Sequence, residues 1–360
     1  MIEKLRKTIN EIDAEMAKLF EKRMDAVKGV AEYKKLHGLA VLDEKRENEV
    51  IERNSHLIEN EEYKPYYVSF LKSNMLISKK MQHRLLNGTR VAFSGVNGAF
   101  AHIASGKIFP DAELVGYGDF KSAYNSVENG ECDLVVLPIE NSFNGDVGQV
   151  MDLCFFGSLH ISGIYDIPVV HNLLAKKGAK LSDIKTVVSH SQALGQCASF
   201  LQKHGFEVKE VVNTAVAAKL VSESERNDIA AIASGEAAEI FSLKTLRSHI
   251  NDSGSNTTRF AVLSPAMKQS GKDDKHFVIM FTVSNSAGAL SKAVSAIGEN
   301  GFNLRALKSR PTKELIWDYY FYAEGEGNIF SADGEKMLGA LKECCSSIKV
   351  VGSFEKELSL

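Results

Sequence analysis

The chain has 360 residues, apolar and charged fractions of 44% and 25%, and a formal net charge of −3, enough for two or three domains with their own cores. That charge gives no electrostatic footing for nucleic acid or an anionic membrane, and no apolar run approaches the roughly 18 residues that span a bilayer. The start MIEKLRKTIN lacks the apolar core of a signal peptide, and Cys132, Cys154, Cys197, Cys344 and Cys345 form neither a CxxC pair nor a disulfide framework, so the expectation is a cytoplasmic protein without a structural metal.

Residues 1 to about 87 read as helices. Leu5, Ile9, Ile12, Met16, Leu19 and Phe20 recur at three- and four-residue spacing, which predicts an amphipathic helix running to about Leu36, with Gly38 as its C-cap. Two further helices are expected near 44–60 and 63–86. One very long helix and two short ones make a poor core alone, so this segment is expected to dimerise.

The polar residues of the segment fall on shared faces. Arg23 and Lys34 stand three turns apart on the first helix, about 16 Å along it. Asp43, Arg46 and Glu47 share one face of the second helix, and Ser78 and Gln82 one face of the third. Arg6 lies about 26 Å along the helix from Arg23. It reaches the same small ligand only if a partner chain supplies it. Charges on long helices usually form a solvated face, which is the plain alternative for each residue singly.

As a set, LRKTINEID, EKR (21–23), AEYKK (31–35), DEKRE (43–47) and SKKMQ (78–82) resemble the all-helical chorismate mutase family. The resemblance implies a cage shared by two intertwined protomers. Arg6 of the partner and Arg23 would bind the substrate carboxylates, Lys34 and Gln82 would attend the ether oxygen, and Asp43, Arg46, Glu47 and Ser78 would complete the pocket. The pericyclic shift of chorismate to prephenate needs no nucleophile and no cofactor, only a held conformer and stabilised charge.

From Arg90 the rhythm changes. RVAFS, ELVGY, DLVVL, KTVVSH, FEVKEV, DIAAIA and TRFAVL read as strands alternating with helices such as 191–204 and 215–224. That alternation predicts a largely parallel α/β architecture. Polar clusters sit at strand ends, where open α/β sheets bind ligands: GVNGAFAH (95–102), PIENSFNG (138–145), SHSQALGQC (189–197) and NTTRF (256–260). GVNGAFAH lacks the third glycine of a dinucleotide fingerprint, but its helix start can bind a carboxylate. Capping is the plain alternative for a lone Thr or Gln at such places.

In this order PIENSFNG, SHSQALGQC and NTTRF, with DIPVVHNLLA (166–175) and NTA (213–215), resemble the prephenate dehydratase family over roughly 90–263. The resemblance implies two α/β lobes, built like a solute-binding protein, around a cleft. It implies a prephenate site of Glu140, Asn141, Ser142, Ser189, Gln196, Thr258 and Arg259, with Thr258 delivering a proton to the departing hydroxyl and Arg259 holding a carboxylate or supporting the cleft. This chain departs from the GTYSH-like text of relatives, carrying Ala99 and Ala101 in place of both hydroxyls.

Residues 264–275 read as a polar linker. Beyond them FVIMFTV, a helix at 288–299, FNLRALKSR, IWDYYFYAE, a helix at 333–344 and SIKVVGSF predict βαββαβ, a ferredoxin-like unit. NSAGALSK (285–292) and LKSRP (307–311) resemble the ACT domain, an amino-acid sensor. That implies L-phenylalanine bound between paired tails by Gly288, Ala289, Leu290, Ser309, Arg310 and Pro311, with Lys308 where relatives carry an acid.

The expected domains are therefore 1–87, 88–265 and 276–355: an all-helical mutase, a two-lobed dehydratase and a regulatory tail. Together they resemble the bifunctional enzymes of phenylalanine biosynthesis, cofactor-free and homodimeric or larger. Chorismate and prephenate are the implied substrates. Two alternatives remain at this stage: a dehydratase whose helical segment is an inactive dimerisation arm, and a non-catalytic ligand sensor.

Overall fold

The computed structural model describes residues 1–41, 43–267, 274–312, 318–355 and 357–359. Half of the expected linker, residues 268–273, and the start of the strand expected from Ile316 lie outside them. The chain forms two compact units, residues 1–90 with 111–113, and the remainder.

The first unit is helical: α1 (Ile2–His37), α2 (Glu44–Ser55) and α3 (Lys64–Asn87). Gly38 ends α1 with φ 62°, its N–H bonding the carbonyl of Lys34, the left-handed cap that glycine adopts without a Cβ penalty. Asp43 caps α2 by accepting from Arg46 N at 3.0 Å. That helix is shorter than the expected 44–60. Val27, Ala31 and Leu71 are buried within the unit. Ile2, Leu5, Ile9, Ile12, Met16 and Leu19 instead remain 43–63% exposed, an apolar stripe that none of the described residues covers.

The second unit begins with β1 (Arg90–Ser94), α4 (Phe100–Ile108), β2 (Glu113–Tyr117), α5 (Phe120–Glu128), β3 (Leu134–Asn141), β4 (Gly145–Asp146), α6 (Gly148–Phe156) and β5 (His160–Pro168). A second lobe follows: β6 (Asn172–Ala175), β7 (Thr186–Ser189), α7 (Ser191–Gly195), α8 (Ala198–His204), β8 (Glu207–Glu210), α9 (Thr214–Glu223), β9 (Ile229–Ala233), α10 (Gly235–Ile240) and β10 (Lys244–Arg247). The chain then returns to the first lobe as β11 (Thr257–Ser264). Its final stretch is β12 (His276–Thr282), α11 (Ala289–Glu299), β13 (Asn303–Pro311), β14 (Tyr319–Glu326), α12 (Ala332–Cys344), β15 (Ser347–Phe354) and β16 (Glu357–Ser359).

Both sheets are mixed rather than largely parallel. β1 and β3 run parallel, but β11 inserts antiparallel between β3 and β5. In the second lobe β8, β7 and β9 are parallel, β6 runs against them, and β10, antiparallel to β6, runs in their direction again. In the first sheet the return of β11 is the cause: the chain re-enters the first lobe from the second, without the crossover helix that a parallel neighbour requires.

β3 also runs past its expected end at Leu137. It reaches Asn141 with a register irregularity at Arg259/Phe260 that passes over Ile139, just beyond Pro138, which has no N–H for the ladder. The single helix expected over 191–204 is two helices, α7 and α8, parted at Gln196–Cys197, where the carbonyl of Gln196 accepts from Asp252 N at 2.8 Å.

The final stretch has the order βαββαβ, with strands adjacent as β13-β14-β12-β15. It is continuous with the first lobe, for β15 pairs with β5 at Gly352 and Ile161, and β16 extends the same edge. The segments expected as 88–265 and 276–355 thus share one sheet.

Candidate active sites

In the helical unit three of the expected residues converge. Arg23 donates to Ser78 Oγ and, at 3.3 Å, to the carbonyl of Asn74. Ser78 and Gln82 lie one turn apart on α3, both buried, and Gln82 Oε1 has no hydrogen-bond partner among the described residues. A buried amide oxygen is costly to leave unsatisfied, so this position suits a ligand's donor. Lys34 Nζ donates to the Val41 carbonyl at 2.7 Å. Glu47 pairs with Lys79 at 2.9 Å, and Arg46 with Glu49 at 3.3 Å. Asp43 is a helix cap as well as a candidate. Arg6, 65% exposed and paired among the described residues with the adjacent-turn Glu3, stands on the bare portion of α1.

In the second unit a cavity of about 610 Å³ opens between the lobes, within the range of small-molecule sites. The first lobe contributes Asn141 and Thr258, neighbours in register on β3 and β11. The second contributes His171, His190, Gln196 and Asn213. Phe100, Phe120, Pro138 and Phe260 give it apolar walls.

The N-terminal ends of α4 and α6 open here, through Ala99–Ala101 and Val147–Gln149. Neither helix has a side-chain cap. The missing hydroxyls of Ala99 and Ala101 therefore leave first-turn N–H groups available to a carboxylate. Among the described residues no lysine or arginine lines the cavity, so these dipoles are the positive ends that this wall presents.

One hydrogen-bond chain crosses the cleft. Asn141 Oδ1 accepts from the backbone N–H groups of Phe143 and Asn144, both at 3.0 Å. Its Nδ2 donates to Asn256 Oδ1 and to Thr258 Oγ1, both at 2.9 Å. Asn256 Nδ2 donates to Gln196 Oε1 at 2.8 Å, and the same oxygen lies 2.9 Å from His171 Nε2. Because Thr258 Oγ1 is an acceptor in this chain, its own proton is free to be given elsewhere.

The other expected dehydratase residues stand behind the wall. Ser189 is fully buried and donates to the Ile232 carbonyl at 2.7 Å, tying β7 to β9. Ser142 Oγ donates to the Ser255 carbonyl and accepts from Thr257 N. Glu140 is bridged by Lys308 at 2.9 Å and Arg259 at 3.3 Å. Arg259 itself is engaged by Glu324, Glu140 and Asp166, which leaves it supporting the cleft from outside. His171, Asn256 and Asn213 were missed as candidates, although all three lie within or beside motifs quoted for the resemblance.

In the final stretch Gly288 caps α11 with φ 81°, and no atom stands within 4 Å of the place its Cβ would occupy. Ala289 is buried and Leu290 half-buried on the first turn. Ser309 and Pro311 are exposed on β13. Arg310 between them bonds Asp152 of α6 at 2.9 and 3.1 Å, and Tyr320 at 3.1 Å.

Two family profiles match the chain: chorismate mutase type II over residues 5–83, and prephenate dehydratase over residues 91–268. The chain is 32% identical to the bifunctional chorismate mutase/prephenate dehydratase of Aquifex aeolicus, across 99% of this chain and 98% of that one. The chain belongs to the bifunctional chorismate mutase/prephenate dehydratase family. It therefore carries both enzyme activities, of the isomerase and lyase classes, within phenylalanine biosynthesis. Identity to an arogenate dehydratase/prephenate dehydratase of Arabidopsis thaliana is also 32%, over 92% of this chain and 90% of that one. Among solved structures, prephenate dehydratase from Arthrobacter aurescens in complex with L-Phe superimposes with a TM-score of 0.68 at 26% identity, covering 74% of this chain and 90% of that chain.

Proposed function

We propose that the two reactions run at separate sites, chorismate rearranging in the helical unit and prephenate losing carbon dioxide and hydroxide in the cleft. In the helical unit Arg23, Lys34 and Gln82 hold the substrate, aided by Asp43, Arg46, Glu47 and Ser78, and Arg6 of the partner subunit completes the cage. The bare apolar stripe on α1 supports such a dimer, since a stripe of that size favours burial.

In the cleft, the pair of electrons released as the ring carboxylate leaves flows into the ring and expels the hydroxyl, which takes the proton of Thr258. The N–H of Asn141 then steadies the oxygen left behind. The observation that carries this reading is the hydrogen bond from Asn141 Nδ2 to Thr258 Oγ1, which makes Thr258 a donor toward the cavity. The apolar walls favour loss of the carboxylate charge. Glu140, Ser142, Ser189 and Arg259 support that wall.

We read the final stretch as a ferredoxin-like ACT domain that binds L-phenylalanine at Gly288–Leu290 and Ser309–Pro311 and lowers dehydratase activity. Support comes from its strand order and from the L-Phe complex of the relative. Five free cysteines suit a reducing cytoplasm.

The test is to incubate the purified protein with chorismate and follow chorismate, prephenate and phenylpyruvate, with and without L-phenylalanine. Phenylpyruvate that appears and then declines on adding phenylalanine is the expected result. Phenylpyruvate formation indifferent to phenylalanine would remove the regulatory reading. Prephenate accumulating alone would point to the Ala99/Ala101 loop.

A further inference from the structure

The chain of amides behind Thr258 has a direction, and that direction can be followed link by link. A backbone N–H can only donate, so Phe143 and Asn144 fix which end of the Asn141 amide is oxygen. Its nitrogen therefore faces Asn256, which must answer with oxygen. The Asn256 nitrogen then faces Gln196, which must also answer with oxygen. Gln196 Oε1 cannot donate, so the proton in its 2.9 Å contact with His171 Nε2 belongs to the imidazole.

A neutral imidazole carries one N–H, which leaves His171 Nδ1 bare. It has no hydrogen-bond partner among the described residues, and the residue is 2% exposed on the cleft wall. His171 thus terminates the chain as its last donor. Without it Gln196 loses one of the two donors that hold its oxygen in place, and its amide is free to turn over. A turned Gln196 presents N–H to the N–H of Asn256, and the reversal passes on to Asn141 and Thr258.

Resting on the dehydratase reading of the cleft, we propose that His171 is a positioning residue for prephenate dehydration: its Nε2–H holds the Gln196, Asn256 and Asn141 amides in the one direction that leaves the Thr258 proton for substrate. Its place between β5 and β6, at 25 and 85 residues from Gln196 and Asn256 in the chain, lets one ring lock contacts made by both lobes.

The test compares the full-length chain with His171→Leu, which removes the donor and keeps bulk, and His171→Gln, whose amide can still donate. His171→Leu should lower kcat on prephenate about 10–100-fold, part of the 10²–10⁴-fold typical of a placed proton donor, with KM within about threefold. His171→Gln should recover most of that loss. Unchanged kcat in His171→Leu, or equal losses in both variants at native circular dichroism, would overturn the proposal. Independently of any variant, long-range ¹⁵N–¹H spectra of the wild-type protein should show His171 as the Nε2–H tautomer, and the Nδ1–H tautomer would overturn it. A wild-type protein that leaves prephenate untouched would instead remove the dehydratase reading itself.

Discussion

Arg259 on β11 forms a two-pronged ion pair with Glu324 on β14, at 2.7 and 3.0 Å. Glu324 is 1% exposed and also accepts from the Tyr322 hydroxyl at 3.2 Å. The residue next to Thr258 is thereby bound to the C-terminal stretch.

Removing one partner of such a pair strands a buried charge, at a cost of about 3–5 kcal/mol. Arg259→Ala should show that loss in urea unfolding of the second unit. Glu324→Ala should cost less, because Arg259 keeps Glu140 and Asp166. The double variant should be more stable than Arg259→Ala alone.

Asn141→Asp keeps the acceptor for the Phe143 and Asn144 N–H groups but loses the donor to Thr258. A carboxylate there draws the Thr258 proton onto itself and away from substrate. Phenylpyruvate formation should fall about 10²-fold, while conversion of chorismate to prephenate continues at the wild-type rate. Steady-state assays on the two substrates separately check both halves.

Local pattern exposed much of this molecule, and long-range pairing hid the rest. α1 and its Gly38 cap follow from apolar spacing and one glycine, and β15 lies where its strand-like run placed it. β5, β6 and β10 escaped notice. HISGIYDIP carries Gly163, Asp166 and Pro168, all poor strand signals, and β10 is four largely exposed residues. Asn141, Gln196 and Thr258 stood out because they mark strand ends or sit in dense polar motifs. His171 did not, because its meaning depends on Gln196 and Asn256, and no local spacing encodes those contacts. Arg259 was legible as a motif residue, but its partner Glu324 lies 65 positions on.

Burial lowers the pKa of His102, His160 and His171 from the usual 6.5. The unfolded chain takes up protons near 6.5 that the folded chain refuses. Their stabilisation is therefore complete above that pH and is lost as pH falls through the lower, folded values. Unfolding free energy should decline between pH 7 and 5.5, with His171 contributing up to about 1.4 kcal/mol per pH unit. Urea titrations across that range should show a shallower slope in His171→Leu.

Gly352 sits where β15 meets β5, and a Cβ there would lie 2.3 Å from the Ile161 carbonyl oxygen. Backbone cannot swing aside as a side-chain tip can. Gly352→Ala should cost about 1–3 kcal/mol by parting those strands. Gly339 faces open space on α12, and Gly339→Ala should add roughly 0.5–1 kcal/mol by helix propensity. Thermal melts of the pair give opposite signs.

Helix α6 touches the cavity at Gly148 and Gln149. Its flank and far end belong to the C-terminal stretch, through Arg310 on Asp152, Phe155 stacked on Tyr320 at 4.2 Å, and Lys349 on the Cys154 carbonyl at 2.7 Å. Any small molecule that claimed the Arg310 guanidinium would first have to evict Asp152. Its apparent affinity would equal its intrinsic affinity scaled by the fraction of molecules in which that helix has already let go. Tight occupancy and a loosened cleft wall would then be one event measured from two ends.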